Sequence, residues 1–397
     1  MRGRKRWSAV GGLVAVLAVA VAAVGTGLGG SATTAQAPIV IGWAFDSSGN
    51  MAPFDGPALA AAKVRIGQLN AKGGVSGRPL RIVTCDTNNN NPAKAKSCAA
   101  SLLGRGAKIM FVTCDVDYAT PVVQEAINRG VLAVAPCIGT DQMGPKRFGA
   151  KGKLAFSFGN VAQDEGSAMA EYAYRRGWRR ASLATNTALV YFKNVVQAFD
   201  KRFRQLGGSI VARESYATGA NNVQNAVSRL NGRQADVIVT STAFGELPAL
   251  VSGLRSLRNQ TPILNSWAGD GTYWLPKSPQ VTNYYAVTYA SVFGDDPNRA
   301  VRALARQLKA FTGGFLAGSA AIDGVVTAIR RANGSTSGAT LATRMERFRK
   351  VPTLSGLVSF SPTFHTVFGR QYRVIKIHNN RARYVGSVTA RVVPKLP

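Results

Sequence analysis

Residues 39–86 read IVIGWAFDSSGNMAPFDGPALAAAKVRIGQLNAKGGVSGRPLRIVTCD, and this stretch decides the fold class. The apolar run Ile39–Ile41 leads into the polar residues 46–50, which is typical of a buried parallel strand followed by a loop. Apolar residues at helical spacing follow Pro57 and stop at Gly73-Gly74, which predicts a helix. Leu80–Thr84 is again short, apolar and β-branched. Two parallel strands joined by a helix form a right-handed crossover unit.

The same alternation continues on both sides of about residue 160. Further predicted strands lie at 109–113, 131–135, 181–185, 209–213, 236–241, 262–264 and 284–288, with helices that include 161–176, 193–206, 223–230 and 246–257. The last third adds helices at 301–311, 318–332 and 342–348, and a hairpin of 372–378 with 382–386 that turns at Asn379-Asn380. The pattern predicts an α/β protein with two doubly wound parallel-sheet halves.

The N-terminus has the composition of a secretory signal. Residues 2–6 are basic apart from one glycine, residues 9–24 are apolar, and Ala35-Gln36-Ala37 provides small residues at the two positions that a signal peptidase inspects. We predict cleavage after Ala37 and no lipid anchor, because this region contains no cysteine. An uncleaved anchor helix is the alternative, since apolar and glycine residues continue to Gly30. With 397 residues, 46% of them hydrophobic, the chain can form two domains.

The chain is strongly basic. Its formal charge is +30, and removing the four basic residues of the signal segment leaves +26. The basic residues are scattered over predicted helix faces, so we expect adhesion to anionic envelope polymers or lipid head groups. Nucleic acid is the other partner that a sequence pI of about 10.8 suggests. No helix-turn-helix precedes the first strand and export removes the target, so we predict no nucleic-acid binding.

Four cysteines in an exported chain allow three pairings. Cys85 ends the second strand and Cys98 lies on the helix that starts near Pro92, while Cys114 and Cys137 each end a strand. If the strand order is 2-1-3-4, strand one separates Cys85 from Cys114, whereas strands three and four are neighbours at disulfide spacing. We therefore predict the pairs Cys85–Cys98 and Cys114–Cys137. A metal site is the alternative, and the lack of a C-x-x-C pair argues against it.

Motifs for catalysis are missing from the sequence. It contains no G-x-S-x-G, H-E-x-x-H or G-x-x-x-x-G-K-[ST] segment, and His365 and His378 lie in the C-terminal part, away from the loops that follow the strands. The pair Asp115 and Asp117 could do acid/base chemistry, but carboxylates this close together in a turn are usually helix caps. We predict a protein that is not an enzyme and needs no cofactor or metal.

One segment carries a family resemblance. Residues 70–80, NAKGGVSGRPL, followed by the polar turn 86–91 and by Pro92-Ala93-Lys94-Ala95, resemble the N-terminal signature of type I periplasmic binding proteins of the branched-chain amino acid group. The resemblance implies two lobes that the chain links by crossing three times, near 158–163, 283–290 and 360–365. It places lobe I at 38–157 with 287–362 and lobe II at 158–286 with 363–397, after a signal peptide at 1–37. Three adjacent strands between rigid lobes form a hinge.

The ligand site of such a protein is expected where strands end, because ligands of open α/β sheets bind beyond the carboxyl ends of strands. The predicted ligand-binding residues follow the strands of both lobes and are Ser47, Ser48, Asp115, Asp117, Tyr118, Gly139, Thr140, Tyr191, Phe244 and Asp270. The resemblance implies that a hydroxyl after strand three and a Thr after strand four hold the ligand's carboxylate. Thr140 fits the second position, but Asp117 or Tyr118 stands where a Ser is usual. Asp117 would repel a carboxylate, so it either caps the next helix or faces a cation or amide.

The other candidates each have two interpretations. Tyr191 resembles a family tyrosine that covers the ligand, and Phe244 could add a second wall; both could instead be core packing. Asp270 falls near the place where family members set an acid against the ligand's ammonium, and its alternative is a solvated turn before Gly271. Asp323 matches a family Asp that we interpret as structural.

These observations favour one function with two alternatives. The resemblance implies an extracytoplasmic, monomeric solute-binding protein that closes on a small polar ligand, an amino acid or amide-like compound, and delivers it to the permease of an ABC importer. A ligand-sensing receptor module of the same fold, which signals to a kinase or regulator, is the first alternative. An α/β hydrolase is the second, and the missing nucleophile motif argues against it.

Overall fold

The computed structural model describes residues 36–396, so the signal segment predicted for 1–37 lies almost wholly outside the described residues. The first part of the chain alternates strands with helices. In order, these are β1 (Ile39–Phe45), α1 (Ala52–Asn70), β2 (Leu80–Asp86), α2 (Pro92–Gly104), β3 (Ile109–Phe111), α3 (Val116–Asn128), β4 (Leu132–Ala135), α4 (Pro145–Phe148) and β5 (Ala155–Asn160).

The middle part repeats this alternation. It contains α5 (Ala162–Arg175), β6 (Arg180–Asn186), α6 (Val190–Gln205), β7 (Ser209–Tyr216), α7 (Gln224–Asn231), β8 (Val237–Ser241), α8 (Glu246–Ser256) and β9 (Ile263–Asn265). The last part contains β10 (Tyr284–Thr288), α9 (Arg299–Leu308), α10 (Phe315–Arg331), α11 (Gly338–Glu346), β11 (Val351–Thr353), β12 (Gly356–Val358), β13 (Thr366–Val367), β14 (Tyr372–His378) and β15 (Arg381–Val388).

The first sheet has the order β13-β5-β4-β3-β1-β2, and all its pairs are parallel. This contains the predicted order 2-1-3-4. In β1, every residue except Phe45 is buried, because the strand lies between two neighbours and helices cover both faces. Helix α1 begins at Ala52, earlier than the start predicted at Pro57. Pro53 occupies its first turn, where a missing N–H has no partner to lose, and Pro57 lies inside the helix.

The second sheet has the order β15-β14-β10-β9-β8-β6-β7. Strands β6 to β10 pair in parallel, and the hairpin of β14 with β15 adds two antiparallel strands at one edge. Asn379 and Asn380 both have a positive φ, as their place in the predicted turn requires. The strand and helix pattern of both halves therefore confirms the predicted α/β fold class.

The chain passes between the two sheets three times, after β5, after β10 and after β13. Helices α9 and α10, which follow β10, pack against α1 of the first sheet, and α10 approaches so closely that a Cβ on Gly318 would lie 1.8 Å from the Ala58 carbonyl oxygen. Within residues 36–396, no helix combines the length and the apolar character needed to cross a membrane.

Candidate functional site

The carboxyl ends of the two sheets meet at a small cavity. Its walls are mostly apolar and come from both halves of the chain: Met51, Phe54, Cys114 and Asp115 from the first, and Leu189, Tyr191, Phe192, Ala243, Phe244, Trp267 and Ala268 from the second. The volume is about 20 Å³, which is enough for one water molecule. Side chains thus fill most of the space between the halves. We call this region the cleft.

Aromatic rings form the contact across the cleft. Phe54, in the first turn of α1, lies edge-on to Trp267 with 5.0 Å between ring centroids and to Phe244 at 6.4 Å. Phe192 packs on Phe244 at 6.0 Å. Phe244 has φ +54°, and it follows β8 in the tight turn that leads to α8. Since rings of these sizes carry a large apolar area, they stabilise the contact between the two halves.

Asp115 is the carboxylate among the described side chains that line the cleft. It is the N-cap of α3: its Oδ1 accepts from the amides of Asp117 at 2.8 Å and Tyr118 at 3.3 Å. No hydrogen bond joins its Oδ2 to the described residues. Burial, assisted by the charge of Asp117, raises the pKa of the Asp115 carboxyl to about 7. Oδ2 of this buried carboxyl is therefore available to bind a ligand.

Asp117 does not cap its own helix, which corrects one of the two predicted roles. Its Oδ1 pairs with Arg147 at 2.8 Å, and its Oδ2 accepts from the amide of Val190 at 3.4 Å. Val190 begins α6 in the other half, and the N-cap there, Leu189, has no oxygen in its side chain. A carboxylate at a helix N-terminus is favoured by the free amides and the helix dipole. Asp117 thus supplies, from across the cleft, the cap that α6 lacks.

The Tyr191 hydroxyl is bound by a buried carboxyl, that of Glu165, which was not among the residues predicted from the sequence. Its hydroxyl donates to Glu165 Oε2 at 2.8 Å, and Glu165 Oε1 accepts from the Trp267 amide at 2.6 Å. Burial raises the pKa of Glu165 to about 7. The ring reaches Gly139 in the other half, where a Cβ would lie 2.6 Å from it, so only glycine permits this approach. Glu165 therefore positions two of the aromatic walls.

Four predicted site residues lie away from the cleft cavity. Ser47 and Ser48 are exposed. Ser47 donates to Asp86 at the end of β2, and the Ser48 amide donates to Asp46 in the loop after β1 at 3.3 Å. Tyr118 is half-buried in the first turn of α3. Thr140 is buried, its hydroxyl accepts from the Gln142 amide at 3.3 Å, and its carbonyl accepts from Thr366 at 2.7 Å. The bonds of Ser47, Ser48 and Thr140 hold the loops that follow β1 and β4.

Asp270 also lies outside the cavity walls and is not a solvated turn residue. It is buried, and its carboxyl accepts from the Thr288 hydroxyl at 2.7 Å and from the amides of Gly271 at 2.7 Å and Gly313 at 2.5 Å. Burial raises its pKa to about 6. These bonds tie the loop after β9 to the end of β10 and to the start of α10. Asp270 therefore links the sheet of the second half to the start of α10, which packs against the first half.

The distances between the four cysteines match the two predicted disulfide pairs. The Cα atoms of Cys85 and Cys98 are 5.5 Å apart, and those of Cys114 and Cys137 are 4.8 Å apart. Both distances lie within the range that a disulfide spans. The described residues contain no group of three or more His, Cys, Asp or Glu side chains arranged to hold a metal ion.

Comparison with known proteins identifies the family. The sequence model described as "Periplasmic binding protein" matches residues 38–382. The chain belongs to the periplasmic binding protein family. The resemblance inferred from residues 70–95 is thus confirmed at the level of family and fold.

Relatives of this periplasmic binding protein share its architecture at low sequence identity. It is 23% identical to the Leu/Ile/Val-binding protein homolog 3 of Brucella melitensis over 344 residues, which cover 84% of this chain and 90% of the relative. The structure of the substrate-binding protein LivJ from Streptococcus pneumoniae, in complex with isoleucine, aligns with TM-score 0.74 and 19% identity over 88% of this chain and 99% of the other. An ABC transporter solute-binding protein from R. palustris, in complex with 4-hydroxybenzoate, aligns with TM-score 0.75 and 17% identity over 90% of this chain and 98% of the other. The last two comparisons show the shared fold.

Three residues predicted from the sequence line the cavity of this binding protein, namely Asp115, Tyr191 and Phe244. The rings of Phe54 and Trp267, which meet across the cleft, were not among the predicted residues. Phe54 lies in the first turn of α1. The sequence predicts that this helix begins at Pro57, so Phe54 was expected in a loop. Trp267 lies two residues after the end of β9, and its place at a strand end is the signal that could have identified it. Glu165 carries no such signal, because it lies in a helix that reads as an ordinary amphipathic element.

Proposed function

We propose that this protein is the extracytoplasmic solute-binding component of an ABC importer, and that its cleft takes a small ligand with an amino or amide group. One observation carries the choice of ligand: aromatic rings and the free oxygen of Asp115 line the cleft, and no Lys or Arg is found among its described walls. A carboxylate with a free oxygen favours an ammonium or an amide N–H as its partner. Aromatic faces attract the same cations.

The helix N-termini at the cleft support this proposal. Free amides at a helix start are the usual anion site in such folds. Here the amides of α3 are taken by Asp115 and the first amide of α6 by Asp117, both carboxylates of the protein itself. A ligand carboxylate would meet their negative charge at short range. An amine or amide would instead neutralise or pair with them.

The proposed mechanism is differential affinity of two conformations. A cavity of about 20 Å³ admits no amino acid, so the ligand enters when the halves separate and the contact of Phe54 with Trp267 opens. The moving lobes are proposed as 38–157 with 287–362 and 158–286 with 363–397. A ligand that contacts both lobes stabilises the closed form, which the permease recognises. Export by the segment 1–37 and a monomeric state complete the proposal.

The ligand class can be tested on the pure protein. Thermal-shift screening of amino acids, amides, polyamines and aromatic acids is followed by calorimetry on the hits. Asp115→Asn keeps the helix cap but removes the charge, so we expect it to weaken an amine ligand roughly 10- to 100-fold, as expected for a charged hydrogen bond. Because the pKa of Asp115 is about 7, wild-type affinity should rise as the pH increases from 6 to 8. Asp200→Asn, on the surface of α6, is the matched control.

Each outcome of the screen bears on a separate claim. Stronger binding by Asp115→Asn or Asp117→Ala, or hits limited to aromatic acids, would refute the amino or amide ligand while leaving a binding protein. Tyr191→Ala should weaken every true cleft ligand, since it removes a wall. No saturable hit in any class would contradict the binding function itself. Uptake of a labelled hit by cells that lack the protein separates transport from sensing: unchanged uptake would favour a sensor.

A further inference from the structure

A second cavity lies at the passages between the two sheets, apart from the cleft. Its volume is about 390 Å³, and its lining includes Tyr289, Asn298, Ser355, Arg370, Arg373 and Thr389. Tyr289 follows β10, and Arg370 lies between β13 and β14, so two of the three passages contribute to it. We call it the hinge cavity.

Arg370 is a buried cation that forms no ion pair within residues 36–396. Only 1% of its surface is exposed, and none of its three guanidinium nitrogens has a hydrogen-bond partner among the described residues. The Tyr289 ring lies 5.4 Å from its charged carbon. The acid near it, Asp164, is engaged elsewhere: its oxygens accept from the Gly369 amide at 3.1 Å and the Tyr372 hydroxyl at 3.0 Å.

A buried guanidinium without hydrogen-bond partners is unfavourable unless a negative charge compensates it. A buried charge is strongly unfavourable when it is unpaired, and arginine cannot avoid this by losing its proton. The second guanidinium of the hinge cavity, Arg373, is already paired with the buried Asp296 at 3.2 Å. The hinge cavity therefore has an excess of positive charge.

We propose that the hinge cavity is a binding site for a small oxyanion, a carboxylate or a phosphate, held by the guanidinium of Arg370. A guanidinium presents parallel N–H donors that match two oxygens of either anion. The hydroxyl-bearing Ser355 and Thr389 line the same space and can donate to the remaining oxygens. The site is separate from the cleft ligand, although Tyr289 packs on Trp267 of the cleft wall with 5.2 Å between centroids.

The test is calorimetry and thermal shift with inorganic phosphate and with sodium acetate, at constant ionic strength. We expect saturable binding and a rise in Tm for the wild type with at least one of them, and the comparison of the two identifies the preferred anion. Arg370→Met should abolish the binding and should not lower Tm without anion, since it removes an unpaired buried charge. Arg105→Met, at an exposed position far along the chain, removes the same charge and should bind like wild type.

A second variant makes the test independent of how Arg370→Met folds. Asp164→Asn removes the negative charge near the guanidinium, so we expect the anion to bind several-fold more tightly. Its amide oxygen can still accept from the Gly369 amide, and its NH2 can donate to the Tyr372 hydroxyl oxygen. Loss of binding in this variant, equal binding by Arg370→Met and wild type, or no saturable binding of either anion to the wild type would each overturn the proposal. None of these results depends on the identity of the cleft ligand.

Discussion

Several carboxyls of this protein are buried without a cationic partner. Burial raises the pKa of Asp55, Asp164 and Glu165 to about 7, and each is held by backbone amides or hydroxyls rather than by an ion pair. Asp55, for example, accepts from the amides of Asp46 and Cys114 at 2.8 Å each. These bonds favour the carboxylate, but removal from water outweighs them. Such groups make stability depend on pH near neutrality.

Glu165 provides a test at the residue scale. A raised pKa means that the folded state binds the proton more tightly, so the stability that it contributes is complete below the unfolded pKa near 4.5 and is lost as the pH rises through about 7. The full loss is on the order of 3 kcal/mol. Glu165→Gln mimics the neutral form, since its amide oxygen can accept from the Trp267 amide and its NH2 can donate to the Tyr191 hydroxyl oxygen. We expect its Tm to equal that of the wild type at pH 5 and to exceed it at pH 8.

Glu125→Gln is the matched control for this measurement. Glu125 is partly exposed and paired with Arg129 on the same helix, so the substitution should change Tm little and to a similar extent at both pH values. If Glu165→Gln is less stable than the wild type at pH 8, the carboxylate is stabilising there, and the argument from burial is wrong.

Two cysteine pairs provide the test at the scale of elements. The pair Cys85–Cys98 joins β2 to α2 across 13 residues, and the pair Cys114–Cys137 joins the segments after β3 and β4 across 23. A crosslink that closes a loop of this size stabilises by about 3 kcal/mol. We expect non-reducing peptide mapping to recover both pairs, and Cys85→Ser with Cys98→Ser to lower Tm by several degrees.

The second pair differs in its consequence for the cleft. Cys114 is one of the cavity walls, so replacing both Cys114 and Cys137 by serine should weaken the cleft ligand as well as lower Tm. The first pair is remote, and its removal should leave affinity unchanged. A reductant should shift Tm in the wild type and not in a variant that lacks all four cysteines. Recovery of a Cys85–Cys114 peptide would contradict the predicted pairing.

The charge distribution belongs to the scale of the whole molecule. Ten of the 19 acidic residues are buried, among them Asp55, Glu165 and Asp270, while the buried Lys and Arg among the described residues are Arg255 and Arg370. The surface is therefore even more basic than the composition indicates. Long-range attraction to anionic polymers or lipid head groups follows from such a surface.

We expect the mature protein to sediment with vesicles that contain an anionic phospholipid and not with neutral phosphatidylcholine vesicles. Binding should fall steeply as salt increases from 50 mM to 500 mM, because the screening length shortens from more than about 10 Å to about 4 Å. Binding to neutral vesicles, or binding that does not respond to salt, would show that charge is not its cause.

Local sequence patterns determined much of this protein. The spacing of apolar residues predicted the alternation of strands and helices, because it depends on neighbours in the chain. The cysteine pairs followed once the strand order 2-1-3-4 of a doubly wound sheet was assumed, because that order decides which strand ends are neighbours. The hairpin at Asn379-Asn380 is a further case, since two residues with positive φ are a local requirement.

The tertiary structure alone decided what the cleft contains. Phe54 meets Trp267, and Asp117 caps α6 at Val190, through contacts between residues that are far apart in sequence and lie in different halves. Periodicity shows which face of an element is buried, but it does not show which partner covers that face. Glu165 and Arg370 illustrate the limit, because a charged residue in a helix or loop gives no sign of burial until the second sheet closes over it.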